Sequence, residues 1–186
     1  MYFMLKRMID FTISFILILL LLPIFLVIFI CIKIDSRGNA LFKHKRFGKD
    51  LKPIYVYKFR TMVEDADKLG PQYTIKNDTR VTKFGSILRK TSLDELPQLF
   101  NILKGEMSLI GPRPDAYEEN FSNHQKIRCK VLPGLTGLAQ VNGRSNLNTQ
   151  EKEKYDEEYV ENISLKLDCI IFFKTIKVIL LAKDII

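Results

Sequence analysis

From Phe11 to Ile32 the chain runs for 22 residues without a single charge, FTISFILILLLLPIFLVIFICI. As a straight helix this segment would extend about 33 Å, enough to cross the hydrocarbon core of a bilayer. It does not read as a cleaved leader, because the run is longer than a typical leader core and Lys33-Ile34-Asp35 follows it instead of a small-residue cleavage site. Pro23 sits mid-run, where a proline deletes one backbone hydrogen bond and crowds the preceding turn, so a bend or break is expected there. Both flanks are basic. Lys6 and Arg7 precede the run; Lys33, Arg37, Lys43, Lys45, Arg46, Lys49, Lys52, Lys58 and Arg60 follow it, against only Asp35 and Asp50. The positive-inside rule favours the cytoplasm for both flanks. On the residues alone two arrangements stand equal: a single-pass helix with its N-terminus outside, or a helix broken at Pro23 that enters and leaves through one leaflet.

The remaining chain is polar. With 186 residues, 29 Lys+Arg against 21 Asp+Glu, a net charge of +8 and 47% hydrophobic residues, the sequence fits one domain with a membrane appendage and excludes a disordered chain. The boundary falls after the apolar run, giving a membrane helix over 1–34 and a body over 35–186. Three separated cysteines, Cys31, Cys129 and Cys169, argue against a disulfide framework, and two histidines without nearby cysteines argue against structural zinc.

Several stretches of the body carry chemical potential. Leu51–Met62 reads as a strand after Pro53, with Tyr55, Tyr57 and Phe59 on one face and Val56, Lys58 and Arg60 on the other. Two cations on one face suit either a phosphate or plain solvent. Asp65-Ala66-Asp67 has the Asp-x-Asp spacing that can hold a divalent metal, although an acidic helix end produces it as readily. Leu96, Leu99, Phe100 and Leu103 make the stripe of an amphipathic helix, with Pro97 in its first turn and Gly105 as its stop. Asp94 and Glu95 then fall at the helix start, and Ser92-x-x-Glu95 matches a capping box, so two acids there can serve as caps or as reactive groups.

Arg113 lies between Pro112 and Pro114, which drive it toward an extended, stiff conformation suited to bidentate contact with phosphate or carboxylate. Pro133 to Arg144 is turn-rich, a connecting loop or an anion-binding concavity. Phosphate-binding loops of the P-loop and dinucleotide types are absent from the sequence. Residues 151–161 suit a solvated helix. The C-terminal segment follows as an apolar helix with Lys166, Lys174 and Lys177 in one sector and Asp168 opposite, matching either a membrane surface or a protein core.

In combination these motifs resemble the small monotopic phosphoglycosyl transferases, bacterial sugar transferases that start glycan assembly on a polyprenyl phosphate. The resemblance rests on Lys6-Arg7-x-x-Asp10, on Lys58-Phe59-Arg60-Thr61-Met62 and on the block from Thr79 to Pro114. It continues through Pro133–Arg144 and the Tyr159–Asp168 region with its Asn162-x-Ser164-Leu165. It implies an α+β, mostly helical monotopic membrane protein with an N-terminal re-entrant helix broken at Pro23, amphipathic interfacial helices and a few short strands. It further implies a site using Mg²⁺, with Asp94 as nucleophile and metal ligand and Glu95 as a catalytic partner that either assists the metal or positions the acceptor.

The implied reaction has two steps: Asp94 attacks the sugar-linked phosphate of a UDP-sugar and UMP leaves, then polyprenyl (undecaprenyl) phosphate takes the phosphosugar from Asp94. Like-charge repulsion between carboxylate and diphosphate requires cations, for which Lys58, Arg60, Arg89 and Arg113 are candidates; Arg144 and Asp168 match family positions and are further candidates for substrate binding. Leu22 stands where many members have serine and Leu138 where many have tryptophan. The extra domains of longer members have no counterpart, so a minimal catalytic unit is expected. The implied location is the cytoplasmic face of the bacterial inner membrane, with the bilayer as partner, a homodimer left open and no nucleic acid. Two other classes compete: a non-enzymatic module binding anionic membrane or nucleic acid through its charge, and a metal-dependent glycosyltransferase using Asp65 and Asp67 and releasing UDP.

Overall fold

The computed structural model describes residues 1–66, 68–70, 78–118, 121–143 and 146–181. Its helices are α1 (Tyr2–Asp35), α2 (Lys83–Thr91), α3 (Gln98–Lys104), α4 (Asn123–Arg128), α5 (Leu138–Asn142), α6 (Thr149–Glu161) and α7 (Leu165–Leu180). The strands are β1 (Leu41–Phe47), β2 (Pro53–Phe59), β3 (Ser108–Ile110) and β4 (Gly134–Thr136). β1 and β2 form an antiparallel hairpin, while β3 and β4 pair in parallel. The mostly helical composition with few strands agrees with the sequence expectation.

α1 contains the whole apolar run and continues through Pro23 without interruption. The expected break is therefore not an interruption of the helix. Proline removes a single donor from the ladder, and both adjoining halves are held by the body. Asp10, Ser14, Ile18, Ile28 and Ile32 are buried along one stripe, which Leu21 and Phe25 complete. These positions recur at intervals of three and four, the signature of one packed helix face. The other faces leave Phe11, Phe15, Leu19, Leu22, Leu26 and Ile30 exposed.

Both ends of α1 are fastened to the same body. At the N-terminal end Lys6 Nζ and Tyr2 Oη each donate to Asp168 at 2.8 Å, and Arg7 donates to the carbonyls of Ile102 and Leu103, near the end of α3. Asp10 accepts from Ser108 Oγ at 2.7 Å and from the Leu109 amide at 3.1 Å. At the C-terminal end Asp35 accepts from the Phe84 amide at 3.3 Å, while Ile28 and Ile32 pack with Ala40, Phe59 and Leu88.

Two further apolar clusters complete the interior. One joins Ile18 to Val56, Leu99, Ile102 and Met107; the other joins Ile110, Val131, Leu138, Tyr159 and Ile171. Residue 102, rather than Phe100, occupies the core face of α3, and Phe100 instead meets Phe25 of α1 edge-on with ring centroids 5.8 Å apart. On α7, Asp168 and Ile171 point inward, whereas Ile170, Phe172, Phe173, Ile176, Ile179 and Leu180 are exposed. These uncovered side chains form a broad apolar surface on two helices.

Candidate active site

The acid pair sits one step ahead of its expected position. Asp94 and Glu95 lie in a 3-10 turn, Leu93–Glu95, between α2 and α3 rather than in the first turn of α3. Ser92 takes a left-handed conformation (φ 57°) as the C-cap of α2 and makes no side-chain cap. The expected capping box does not form, because Ser92 ends one helix instead of beginning the next, so Glu95 is free for other partners. Gly105 does close α3 as expected, with φ 82°.

Those partners are cations. Glu95 Oε1 accepts from Lys58 Nζ at 2.7 Å and from Arg113 Nη2 at 2.6 Å, and Arg113 Nη1 reaches Oε2 at 3.3 Å. Lys58 arrives from β2, Glu95 from the 3-10 turn and Arg113 from the proline-flanked segment after β3. Burial alone would push the Glu95 carboxyl up, but Arg113 and Lys58 outweigh it and hold the group well below the usual carboxylate range.

Asp94 differs from its neighbour in every respect. It is buried, and among the described residues no hydrogen bond or ion pair reaches its carboxylate. Burial raises its pKa; Lys58 opposes that, Glu95 adds to it, and Arg89 and Arg113 oppose it. Asp94 is thus an unengaged acid within the influence of three cations. Arg89, in the last turn of α2, is oriented by Thr61 Oγ1 at 2.8 Å.

The segment holding Arg113 is braced from behind by the turn-rich block. Gly134 donates its amide to the Pro112 carbonyl at 2.8 Å and Gly111 donates to Thr136 at 2.9 Å. A Cβ on Gly134 or on Gly137 would lie 2.1 Å from the Gly111 backbone, so only glycine permits this approach. The block thus buttresses the arginine segment. Arg128 clamps the same segment, donating to the Arg113 carbonyl and to Asp115, with a further ion pair to Asp156 at 2.9 Å.

Two expected substrate contacts are engaged elsewhere. Arg60 is buried beneath the end of α1 and donates to the carbonyls of Ser36 and Arg37 and to Ser36 Oγ at 2.9 Å. It lies one residue beyond β2, so strand alternation no longer keeps it beside Lys58. Asp168 accepts from Tyr2, Lys6 and Tyr159, the last at 2.9 Å, and so joins α7 and α6 to the start of α1. Arg144 lies outside the described residues, as does Asp67 of the Asp-x-Asp pattern. Asp65 is engaged with Lys68 at 3.0 Å on the surface.

Two residues at the site had no signal of their own in the sequence. In the hairpin register His44 faces Val56, Arg46 faces Ile54 and Phe42 faces Lys58. Directly paired residues share a face, so His44 and Arg46 stand on the Lys58 side. A basic run KHKR read as a membrane flank disguised them.

For a metal, the donor set is small. Among the described residues no three His, Cys, Asp or Glu side chains converge on a cage. Magnesium needs only one or two carboxylates when substrate phosphates and water complete its shell. Asp94, the acid not tied into an ion pair, fits that requirement.

Comparison with known proteins places this arrangement. The bacterial sugar transferase family model matches residues 1–182. The chain is 46% identical over 183 residues to a UDP-glucose:undecaprenyl-phosphate glucose-1-phosphate transferase of Klebsiella pneumoniae, covering 92% of this chain and 39% of that protein. It is 45% identical over 184 residues to the protein of the same name in Escherichia coli K12, covering 93% of this chain and again 39% of the relative. The chain therefore spans about two fifths of the length of these relatives. Against the exopolysaccharide production protein PSS of Rhizobium leguminosarum bv. phaseoli it is 42% identical over 187 residues, covering 92% and 93% of the two chains. This chain belongs to the bacterial sugar transferase family.

Proposed function

We propose that the protein moves a phosphosugar from a UDP-sugar to polyprenyl phosphate, with Asp94 as the group that carries it between them. An Asp94 carboxylate oxygen attacks the sugar-linked phosphorus, the bond from that phosphorus to the bridging oxygen breaks, and UMP departs with the bridging oxygen. A phosphate oxygen of the polyprenyl phosphate then attacks the same phosphorus and the Asp94 carboxylate is regenerated. One observation carries the proposal. Of two adjacent acids, Glu95 is fully engaged with Lys58 and Arg113 while Asp94, buried beside the same cations, has no partner among the described residues. A carboxylate already held in an ion pair would have to break it before attacking; Asp94 does not.

The cations have distinct tasks. Glu95 fixes Lys58 and Arg113 so that their positive charge faces the incoming diphosphate without reorganisation. Arg89, at the end of α2, adds a further positive charge that favours ionised Asp94. Mg²⁺, held by Asp94 and the substrate phosphates, would neutralise charge developing on the phosphoryl oxygens. The names of the relatives, which act on UDP-glucose and undecaprenyl phosphate, support both substrates.

The membrane arrangement follows from the same body. We infer that α1 is embedded from the cytoplasmic side of the inner membrane with both ends on that face, as a re-entrant segment. Contacts of one polar body with Lys6, Arg7 and Asp10 at one end of α1 and with Asp35 at the other support this reading. The test of function supplies UDP-sugar, Mg²⁺ and polyprenyl phosphate and identifies the nucleotide product. UMP from wild type and none from Asp94→Asn is expected; UDP release, or undiminished turnover by the variant, overturns the proposal.

A further inference from the structure

Beyond Arg113 lies a second arginine that the reaction as described does not use. Arg46 is half-buried near the end of β1, and among the described residues no carboxylate lies within ion-pair distance of it. Its one side-chain hydrogen bond joins Nη2 to His44 Nδ1 at 2.9 Å, the ring nitrogen accepting. The end of β1 is stitched to the segment directly after Arg113: Arg46 bridges Ala116, the Phe47 amide donates to the Asp115 carbonyl at 3.0 Å, and the Tyr117 amide to the Lys45 carbonyl at 3.4 Å. Burial and the charge of Arg113 both act against the Arg46 cation, while Asp115 and Glu95 act for it.

Two guanidinium groups brought within reach of each other, one lacking an acid, are an unfavourable arrangement in the absence of an anion. Asp115 offsets it only in part, its carboxylate being engaged by Arg128. His44 cannot supply a countercharge. Its pKa is pushed down to about 4 by burial and by the charges of Arg46 and Lys58, so at neutral pH the ring is uncharged and Nδ1 can accept. The hairpin thus presents an arginine held in orientation by His44 with no carboxylate paired to it among the described residues.

We propose that Arg46, oriented by His44, pairs with Arg113 to bind the nucleotide-side phosphate of the UDP-sugar, the phosphate that departs as UMP. The assignment rests on the function proposed above. The hairpin register supports it: Arg46 and Lys58 share one face, Arg46 lies four residues along β1 from Phe42, the partner of Lys58, and Lys58 reaches Glu95 beside Asp94. Arg113 reaches Glu95 beside Asp94, and its own segment continues to Ala116, which bridges Arg46; a diphosphate laid along this row would put one phosphorus near Asp94 and the other near the two arginines. Planar guanidinium groups suit the non-bridging oxygens of that phosphate through paired hydrogen bonds, and its terminal oxygens once it has become UMP. Arg46 is a binding residue in this assignment and His44 a positioning residue.

The anion could instead be the phosphate of the lipid acceptor, and the experiment separates the two. UMP binding is measured by calorimetry on the full-length protein in detergent, alongside KM for UDP-sugar and for polyprenyl phosphate, in wild type, Arg46→Ala, Arg46→Lys, His44→Ala and His44→Gln. Arg46→Ala is expected to weaken UMP binding and raise the UDP-sugar KM about tenfold or more, the loss of one charged hydrogen-bonded contact. KM for polyprenyl phosphate should not change. Arg46→Lys should recover only part of the loss. His44→Ala should raise the UDP-sugar KM several-fold and His44→Gln, which keeps an acceptor, should restore it.

UMP binding within twofold of wild type in a folded Arg46→Ala or Arg46→Lys overturns the assignment, as does an effect confined to polyprenyl phosphate. UMP binding does not involve Asp94 chemistry, so it reports on Arg46 even if Asp94 proves not to be the nucleophile. Asp94→Asn, by contrast, tests the nucleophile without altering Arg46.

Discussion

Asp94 and Glu95 are neighbours in one 3-10 turn, yet their surroundings drive them in opposite directions: burial raises the first, while Arg113 and Lys58 overcome burial at the second. The pair is therefore divided into an acid that organises cations and an acid left to react. That division has a consequence for pH dependence. Asp94 must be ionised to attack, so kcat/KM should fall as the pH drops through its raised pKa. Glu95→Gln removes one of the charges that raise it and releases Lys58 and Arg113 toward Asp94. The acid limb should move to lower pH, while the rate at neutral pH falls about ten- to a hundredfold from lost positioning. A limb that stays in place or moves upward in a pH–rate profile contradicts this.

Arg60 should behave as a fastening of α1 and not as a substrate contact. Its guanidinium satisfies carbonyls at the end of α1 and the Ser36 hydroxyl. Arg60→Ala should lower stability by about 1–3 kcal/mol, since three part-buried acceptors lose a charged donor. The UDP-sugar KM of the folded fraction should not change. Thermal unfolding in detergent together with steady-state kinetics checks both halves; a normal melting temperature with a raised KM would reverse the conclusion.

The Asp168 knot joins three elements distant in the chain. Lys6 and Asp168 form a buried pair at 2.8 Å, with side chains 12% and 9% exposed. Asp168→Ala strands the Lys6 charge and should cost about 3–5 kcal/mol, with hydrogen exchange accelerating selectively in the first turns of α1. Asp168→Asn, which keeps an acceptor for Tyr2 and Tyr159, should cost less. Uniform acceleration across the molecule would show that the knot does not act on α1 in particular.

Asp156 gives stability a pH dependence of defined sign. Its carboxyl is raised to about 6, chiefly by burial and despite Arg128 and His124. Between about 4 and 6 the folded state holds a proton that the unfolded state has lost, so this group's contribution declines as pH rises through that window. Asp156→Asn lacks the dependence. Its stability relative to wild type should therefore improve from pH 4 to pH 7 in denaturant titrations; a relative stability that worsens over that range contradicts the raised pKa.

Much of this site could be read from residues in sequence order because the responsible signals are local. The helix ending at Gly105 and the strand at Pro53 depend on neighbours within a few positions, and the structure reproduces both elements, with Ile102 in place of Phe100 on the core face of the helix. What escaped depends on partners far along the chain. Lys6 meets Asp168 across 162 positions and Arg7 meets the end of α3 across about 95, so both looked like membrane-flanking charges. Ser92 satisfied a capping-box spacing that its left-handed backbone does not use. His44 and Arg46 acquire meaning only once β1 is paired in register with β2.

The most direct test is intact-protein and peptide mass spectrometry of the enzyme mixed with UDP-sugar and Mg²⁺ while polyprenyl phosphate is withheld. The account requires one phosphosugar added per chain, mapped to Asp94, with one UMP released for each adduct and discharge when polyprenyl phosphate is supplied. An unmodified Asp94 in a preparation that turns over normally, or an adduct on another residue, would contradict it.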